Sequence, residues 1–171
     1  EFVEAVKLKT GLVLRVASGA EEGRLSAQGV LMGMPNAEGL VVDMGGSSME
    51  VARVTAGQVG LSVTSALGPL ALAGLSASHR QEVIARQVGE LRTAHPDPVE
   101  RLYLVGGSWR AIAGLDMARQ AYPLPVLQGY RLSPKRAASL AKWIATKDVA
   151  EMKALVSTSS ARLALLSVAS E

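Results

Sequence analysis

The sequence contains no cysteine and few aromatic residues. Among its 171 residues there is no cysteine, which excludes a disulfide framework, a thiolate metal site and a cysteine nucleophile. Aromatic residues make up 4% of the chain although 49% of it is hydrophobic, so the core must be built from alanine, valine and leucine. This composition favours helices packed on a sheet, excludes a disordered chain, and suits one folded domain.

Charged residues are also sparse, at 19%, and they are unevenly distributed. The net charge of +3 is too small to indicate a nucleic-acid partner. Residues 1–50 carry 4 basic and 7 acidic groups, whereas residues 101–150 carry 8 basic and 2 acidic groups. We therefore expect carboxylate chemistry in the first stretch and an anionic partner near the second.

The chain has neither an initial methionine nor a signal segment, so we expect it to be an internal piece of a longer protein. Residues 54–78 contain no Asp, Glu, Lys or Arg, a run long enough to cross a bilayer. Several glycines, Pro69 and six Ser/Thr residues interrupt that run. A buried strand and a turn are therefore favoured over a membrane span.

Hydrophobic periodicity and turn residues predict a core of βββαβα order. The predicted elements are a helix ending at Thr10-Gly11, a strand over 13–17, a helix from Ser18 to about Leu31, strands over 40–43, 49–55 and 59–65, a helix over 76–94, a strand over 102–105, a helix over 107–120, an edge strand over 130–132, and helices over 134–146 and 158–170.

The strongest local signal is the segment DMGGSSME, which runs from Asp43 to Glu50. A carboxylate at the end of a buried strand, followed by small residues, lets backbone amides approach a phosphate while the acid holds a cation or its water. An ordinary Gly-Gly hairpin explains the glycines equally well. Glu50 favours function, because a charged residue is rare inside an apolar strand unless it has a partner or a task.

Two further segments carry weaker signals. Gly106-Gly107-Ser108 joins a strand to a helix, where amides can face an anion, although such glycines often serve close packing. Arg110 in the first turn of that helix is easier to explain if an anion binds there. The segment from Ser18 is typical of a capped helix with a Glu21–Arg24 pair. His79 and His95 flank helix ends and are interpreted as surface caps rather than catalysts.

Together, the segments SGAEEGRL, VVDMGGSSMEV, LVGGSWRAIAGL and YPLPVLQGYRLS resemble the exopolyphosphatase and guanosine pentaphosphate phosphohydrolase (Ppx/GppA) family over nearly the whole chain. The resemblance implies an α/β, actin-like (ribonuclease H-like) fold, with a mixed sheet and a βββαβα core flanked by helices. Residues 1–171 would be the second, C-terminal actin-like domain of such a phosphatase. The first domain, with its own phosphate loop, would be absent from this chain.

The resemblance also implies roles for single residues. Glu22 matches the acid that activates the attacking water, and Asp43 and Glu50 match the acids that hold a divalent metal such as Mg²⁺. Phosphate-binding amides and hydroxyls would come from Gly45, Gly46, Ser47, Ser48, Gly106, Gly107 and Ser108. Three residues depart from the family pattern: Ser47 replaces a glycine, Met49 a threonine and Gly23 an alanine. The first two predict an altered loop, and the third a less stable first turn of the helix.

The implied reaction is hydrolysis of terminal phosphoanhydride bonds of inorganic polyphosphate or guanosine pentaphosphate, in the cytoplasm. This chain would supply one half of the cleft and the missing N-terminal domain the other, so we expect little turnover from the chain alone. The uncovered surface would favour a homodimer. The basic residues expected along the substrate path are Arg110, Arg119, Arg131, Lys135, Arg136, Lys142 and Lys147.

Two other functions remain open at this point. Ser47 and Met49 are compatible with a non-catalytic phosphate or nucleotide sensor of the same fold. A sugar- or acid-kinase type of relative is the other alternative, and the paired Glu21-Glu22 motif argues against it.

Overall fold

The three predicted strands over 40–43, 49–55 and 59–65 form most of a four-stranded mixed sheet. Tight turns join the antiparallel strands β1 (Gly39–Met44), β2 (Met49–Thr55) and β3 (Gln58–Ser65). Strand β4 (Leu102–Val105) lies parallel to β1, which gives the order β3-β2-β1-β4. The structure is a computed structural model that describes residues 1–171. The predicted βββαβα order is confirmed.

Nine helices accompany the sheet. They are α1 (Phe2–Thr10), α2 (Gly19–Gly33), α3 (Pro69–Ala73), α4 (Ala77–Ala94), α5 (Gly107–Arg119), α6 (Pro134–Ile144), α7 (Val149–Lys153), α8 (Ser160–Ala164) and α9 (Leu166–Ala169). Serine side chains cap the N-termini of α2, α4 and α6, where each accepts a hydrogen bond from a first-turn amide. Gly11 ends α1 in the left-handed conformation, as its position predicts.

The two faces of the sheet pack against different helices. Neighbouring residues of a strand point to opposite faces, so Val41 and Met44 lie in different apolar clusters. Val41 packs with Ala27 of α2 and with Ala52 and Val54 of β2. Met44 packs on the other face with residues of the C-terminal helices: Ala111, Ile112, Leu115, Leu140, Ile144, Met152, Leu163, Leu166 and Ala169. The same alternation places Asp43 and Glu50 on the face that α2 covers.

Two of the predicted strands, residues 13–17 and the edge strand 130–132, are wrong. Residues 13–17 belong to no strand or helix, and Val13 is 78% exposed. β-Branched residues stabilise a strand through cross-strand neighbours, and this segment has none. Residues 130–132 form no strand either, and the Tyr130 side chain packs toward α5, where its hydroxyl donates a hydrogen bond to Asp116.

The predicted C-terminal helix is divided at Leu165 into α8 and α9, and α3 and α7 are additional short helices that the pattern did not predict. The uncharged run 54–78 forms the end of β2, the whole of β3 and α3, and the start of α4. A strand is present as predicted, but its predicted burial is wrong, because β3 lies at the edge of the sheet and only Ser65 in it is buried. No helix in the structure combines the length and the hydrophobicity needed to cross a bilayer.

Candidate functional site

Asp43 and Glu50 lie opposite each other across the β1–β2 ladder. The Glu50 side chain is 1% exposed, and neither of its carboxylate oxygens has a hydrogen-bond partner of good geometry. Burial raises the pKa of Glu50; a nearby Ser48 hydroxyl opposes the shift, and the negative charges of Glu22 and Asp43 add to it. A buried carboxylate without a partner is costly, so this one is suited to a cation that compensates its charge.

Glu22 approaches the same pair from the first turn of α2. The neighbouring Glu21 is fully engaged, because its carboxylate accepts hydrogen bonds from the Ser18 amide and from Arg15, at 2.9 and 2.7 Å. These bonds lower the pKa of Glu21 to about 2, and the bond from the Ser18 amide has the largest effect. The predicted Glu21–Arg24 pair is therefore wrong, since Arg15 takes the place of Arg24. Glu22 stays exposed at the mouth of the site.

Gly23 lets the first turn of α2 lie almost directly on the sheet. A Cβ atom at this position would overlap the Ser62 Oγ of β3 and lie 3.0 Å from the Glu50 Cβ. The contact holds the backbone of residues 22 and 23 close to Glu50. Gly23 is therefore required by packing, and its cost in helix propensity is outweighed, since α2 is regular from Gly19 to Gly33.

The first glycine-containing loop, residues 45–48, is a hydrogen-bonded turn that packs against Gly68 and Leu70. The Gly45 amide donates to the Ser48 carbonyl at 3.0 Å, and the Leu70 amide donates to the Gly46 carbonyl at 2.8 Å. Gly68 packs so closely on the loop backbone that a Cβ there would overlap it. None of residues 45–48 adopts a positive φ. Ser47 therefore occupies the loop without the positive φ that would strain a serine.

The second loop, residues 106–108, lies directly beside the end of β1. Gly106 has a φ of 111°, and a Cβ there would lie 2.6 Å from the Met44 carbonyl oxygen and 3.1 Å from the Asp43 Oδ1. Asp43 and Val105 are paired in the parallel β1–β4 ladder. Because parallel strands end at one edge of a sheet, both loops and Asp43 meet there, which is where α/β proteins bind their ligands.

Arg162 of α8 covers the second loop, and no sequence pattern indicated this residue. A Cβ on Gly107 would lie 2.7 Å from the Arg162 Cζ, so the guanidinium lies against the N-terminus of α5. Its Nη1 donates to the Thr158 Oγ1 at 3.0 Å, and no carboxylate pairs with it. A planar cation with donors free is well suited to a phosphate.

Several of the basic residues expected along a substrate path are engaged in other contacts. Arg136 pairs with Asp116, which is 2% exposed, and with the Tyr130 hydroxyl. Arg119 stacks on Trp143 at 4.7 Å. Lys147 pairs with Glu151. Arg110 is exposed in the first turn of α5, beside the second loop, and has no ion pair. Three other members of the group are also exposed and without an ion pair: Arg131, Lys135 and Lys142.

The histidines differ from each other in environment. His79 is exposed and faces Glu82 at 3.4 Å, as a surface position predicts. His95 ends α4 as predicted, but it is 8% exposed and its Nε2 has no partner, so the interpretation of His95 as a surface cap is wrong. Burial is the main cause that lowers the pKa of His95, and the positive charge of Arg53 lowers it further. A hydrogen bond with the Val51 backbone opposes this shift.

The chain is similar to one protein family and to several solved structures. The model of the Ppx/GppA phosphatase family matches residues 1–169. An exopolyphosphatase from Cytophaga hutchinsonii is 18% identical, with a TM-score of 0.83 over 98% of this chain and 59% of its own. The Aquifex aeolicus Ppx/GppA family member is 22% identical, with a TM-score of 0.73 over 99% of this chain and 58% of its own.

An exopolyphosphatase-like protein is also similar, at 20% identity and a TM-score of 0.77 over 97% of this chain and 57% of its own. These likenesses confirm the expected α/β, actin-like fold. No curated protein is significantly similar in sequence. The chain spans less than two thirds of the length of the solved structures that it matches.

Proposed function

The chain belongs to the Ppx/GppA phosphatase family, as its sequence motifs indicated, and we propose that it forms one half of a cleft that hydrolyses terminal phosphoanhydride bonds. The proposed substrates are inorganic polyphosphate, guanosine pentaphosphate or both. The observation that carries the proposal is the buried, unpartnered Glu50 beside Asp43 and Glu22, at the sheet edge where the two loops meet. The exopolyphosphatases among the similar structures support it.

The two loops are proposed to hold the phosphates. Residues 46–48 offer backbone amides and the hydroxyls of Ser47 and Ser48, whereas the Gly45 amide is already bonded to the Ser48 carbonyl. Residues 106–108 offer the amides at the N-terminus of α5 together with Ser108. Amides at such positions bind anions because they are unpaired within the helix or the turn. Arg162 adds a full positive charge directly over Gly107, which would favour a terminal phosphoryl group.

Asp43 and Glu50 are proposed to hold a divalent cation such as Mg²⁺. No group of three His, Asp or Glu side chains is close enough together to hold a metal ion. Two carboxylates are nevertheless the usual protein contribution to a Mg²⁺ site, in which phosphate oxygens and water complete the coordination. The unpartnered Glu50 oxygens fit that donor set. When bound, the cation would supply positive charge that offsets the charge on the transferred phosphoryl group.

Glu22 is proposed to act as the general base. Its exposed carboxylate would orient a water molecule and accept its proton as the water oxygen bonds to the terminal phosphorus. The bond from that phosphorus to the bridging oxygen then breaks, and the shortened chain leaves with the bridging oxygen. Little covalent chemistry falls to the protein, so positioning and charge stabilisation carry the catalysis.

The remaining half of the cleft is proposed to come from an N-terminal domain of the same protein. The similar structures are longer than this chain, which spans 59% of the Cytophaga enzyme and 58% of the Aquifex family member. A missing domain is consistent with the open edge of the site, where Glu22 and Arg162 are both exposed. The proposed phosphatase activity therefore belongs to the longer protein.

Phosphate release by the full-length protein tests this proposal against the sensor alternative. We expect Mg²⁺-dependent release from long-chain polyphosphate or guanosine pentaphosphate, and a loss of about 10²–10⁴-fold in Glu22→Gln. Glu100→Gln, which changes an exposed glutamate outside the site, is the matched control and should keep full activity. Substrate binding with no release above the Glu22→Gln level would support the sensor and contradict the phosphatase.

A further inference from the structure

Ser26 makes a contact that the proposed reaction does not yet explain. Its Oγ donates a hydrogen bond to the Asp43 Oδ2, which joins the middle of α2 to the end of β1. Serine in a helix interior ordinarily bonds to a carbonyl of its own helix or points to solvent. The Ser26 side chain instead reaches a residue 17 positions away, one of the two carboxylates proposed to hold the cation.

Ser26 lies on the same helix as Glu22, the proposed general base, so its hydrogen bond to Asp43 also affects how Glu22 is placed. Residues four apart in a helix lie on the same face, so Ser26 and Glu22 face the same edge of the sheet. Gly23, between them, holds α2 against Glu50 and Ser62. The hydrogen bond from Ser26 therefore fixes α2 to β1 close to the place where Gly23 fixes it to β2 and β3.

The two oxygens of the Asp43 carboxylate have different neighbours. Oδ2 is taken by Ser26, whereas Oδ1 lies beside Gly106 at the second loop. A carboxylate held at one oxygen cannot rotate freely, so the other oxygen keeps one direction. Hydrogen bonds of this kind commonly orient the carboxylates of metal sites.

We propose that Ser26 is a positioning residue that holds the Asp43 carboxylate toward the second loop and keeps it in register with Glu22. This inference rests on the proposed function for its effect on turnover. Its effect on divalent-cation affinity, however, requires only that Asp43 takes part in cation binding. Loss of such a partner typically weakens metal affinity or activity by about 10–100-fold.

The test compares three variants of the full-length protein. Ser26→Ala removes the hydroxyl, and Ser26→Thr keeps it. Ser139→Ala removes an exposed helix-interior hydroxyl from α6, far from Asp43 in the chain, and serves as the matched control. The measurements are Mn²⁺ and Mg²⁺ affinity by calorimetry without substrate, kcat and KM with polyphosphate, and thermal unfolding.

We expect Ser26→Ala to weaken cation binding by about 10–100-fold and to lower kcat, with a smaller change in KM. Ser26→Thr should recover most of both losses, and Ser139→Ala should match the wild type. If folded Ser26→Ala equals Ser139→Ala in cation affinity and kcat, the proposal is overturned. A loss in Ser26→Ala that Ser26→Thr does not recover also overturns it.

Failure of the proposed function would be distinguishable from failure of this inference. If the wild type released no phosphate from either substrate, the phosphatase proposal would fall while cation affinity continued to test Ser26. A double-mutant cycle with Asp43→Ala, which removes the acceptor oxygens, adds a second measurement that is independent of turnover. Non-additivity of about threefold or more in the unfolding constants is expected, and additivity would contradict the proposed coupling.

Discussion

Glu50 is a costly residue for the stability of this fold. Its carboxylate is 1% exposed within the sheet, has no hydrogen-bond partner, and lies near the negative charges of Glu22 and Asp43. A hydrophobic residue would pack here without desolvation of a charge. Such a conflict between local stability and residue choice is typical of functional sites, where chemistry outweighs a stability cost.

We predict that Glu50→Gln makes the cation-free protein more stable and the enzyme inactive. Glutamine keeps the shape of glutamate but carries no charge, so the free energy of unfolding should rise by about 1 kcal/mol at pH 7. Chemical denaturation in EDTA measures the first effect and phosphate release the second. The exposed substitution Glu38→Gln is the control and should change neither.

We also predict how the difference in stability between Glu50→Gln and the wild type depends on pH. Burial raises the pKa of Glu50 above its ordinary value of 4.5, so the folded state holds this proton more tightly than the unfolded state. The stabilising effect of protonation is complete below pH 4.5 and is lost as the pH rises through the folded-state value. The stability gap between Glu50→Gln and the wild type should therefore open with rising pH, and a constant gap would contradict this account.

At the residue scale, the sequence predicted those members of the proposed site whose signals are local. Asp43 ends an apolar run, Glu50 interrupts a strand, and Gly106 stands at a strand-to-helix junction. Ser26 and Arg162 were not predicted, because a serine inside a helix and an arginine near a helix start have no unusual neighbours in sequence. Their proposed roles rest on contacts with Asp43 and Gly107, which lie far away in the chain.

At the scale of elements, the approach of α2 to the sheet determines the geometry of the acidic side chains. The first turn of α2 contacts β2 and β3 through backbone at Gly23, with the Ser62 Oγ in the space that a larger residue 23 would fill. Ser62 Oγ is itself buried without a partner. Gly23 and Ser62 are thus sterically complementary, and the pair sets how close Glu22 lies to Glu50.

We predict that Gly23→Ala destabilises the protein even though alanine is the better helix former. Propensity alone would stabilise α2 by about 1 kcal/mol, but overlap with Ser62 and Glu50 should cost about 1–3 kcal/mol. Gly29→Ala is the matched control, since Gly29 lies in the same helix with no atom near the position of a Cβ, and it should be stabilising. Urea denaturation measures both.

Ser62→Ala removes the overlapping oxygen and identifies the cause. In the Gly23→Ala background it should recover at least 0.5 kcal/mol more than it gives in the wild type, which is a coupling typical of residues in contact. Equal effects of Ser62→Ala in both backgrounds would show that the cost at residue 23 has another origin, such as the 3.0 Å approach to Glu50.

Helices and strands were predicted best where capping and alternation agreed. Ser18, Ser76 and Ser133 cap helices that begin where their sequences indicate. Residues 13–17 show the limit of this approach, since a run of β-branched residues forms a strand only when tertiary structure provides a neighbour. The division of the last helix at Leu165 likewise depends on packing, because Leu163 and Leu166 on either side are both fully buried.

At the scale of the whole molecule, the site is open on one side and the N-terminal region is uncovered. α1 has no buried residue, and the segment that follows it has no regular secondary structure and is exposed. Large apolar side chains are left in contact with solvent across this region: Phe2, Leu8, Leu12, Val13 and Val16. Apolar surface of this kind commonly marks a contact with another domain or chain. We therefore place the proposed contact with the N-terminal domain in this region.

We predict that the isolated 171-residue chain folds but turns over polyphosphate at least about 100-fold more slowly than the full-length protein, because half of the charge stabilisation is missing. The exposed apolar residues should also make it self-associate, which multi-angle light scattering would detect as a homodimer. Val13→Ser combined with Val16→Ser is expected to restore the monomer, while Leu61→Ser, an exposed change on β3, should not. Full activity of the isolated chain would show that the cleft lies entirely within it and that the domain proposal is wrong.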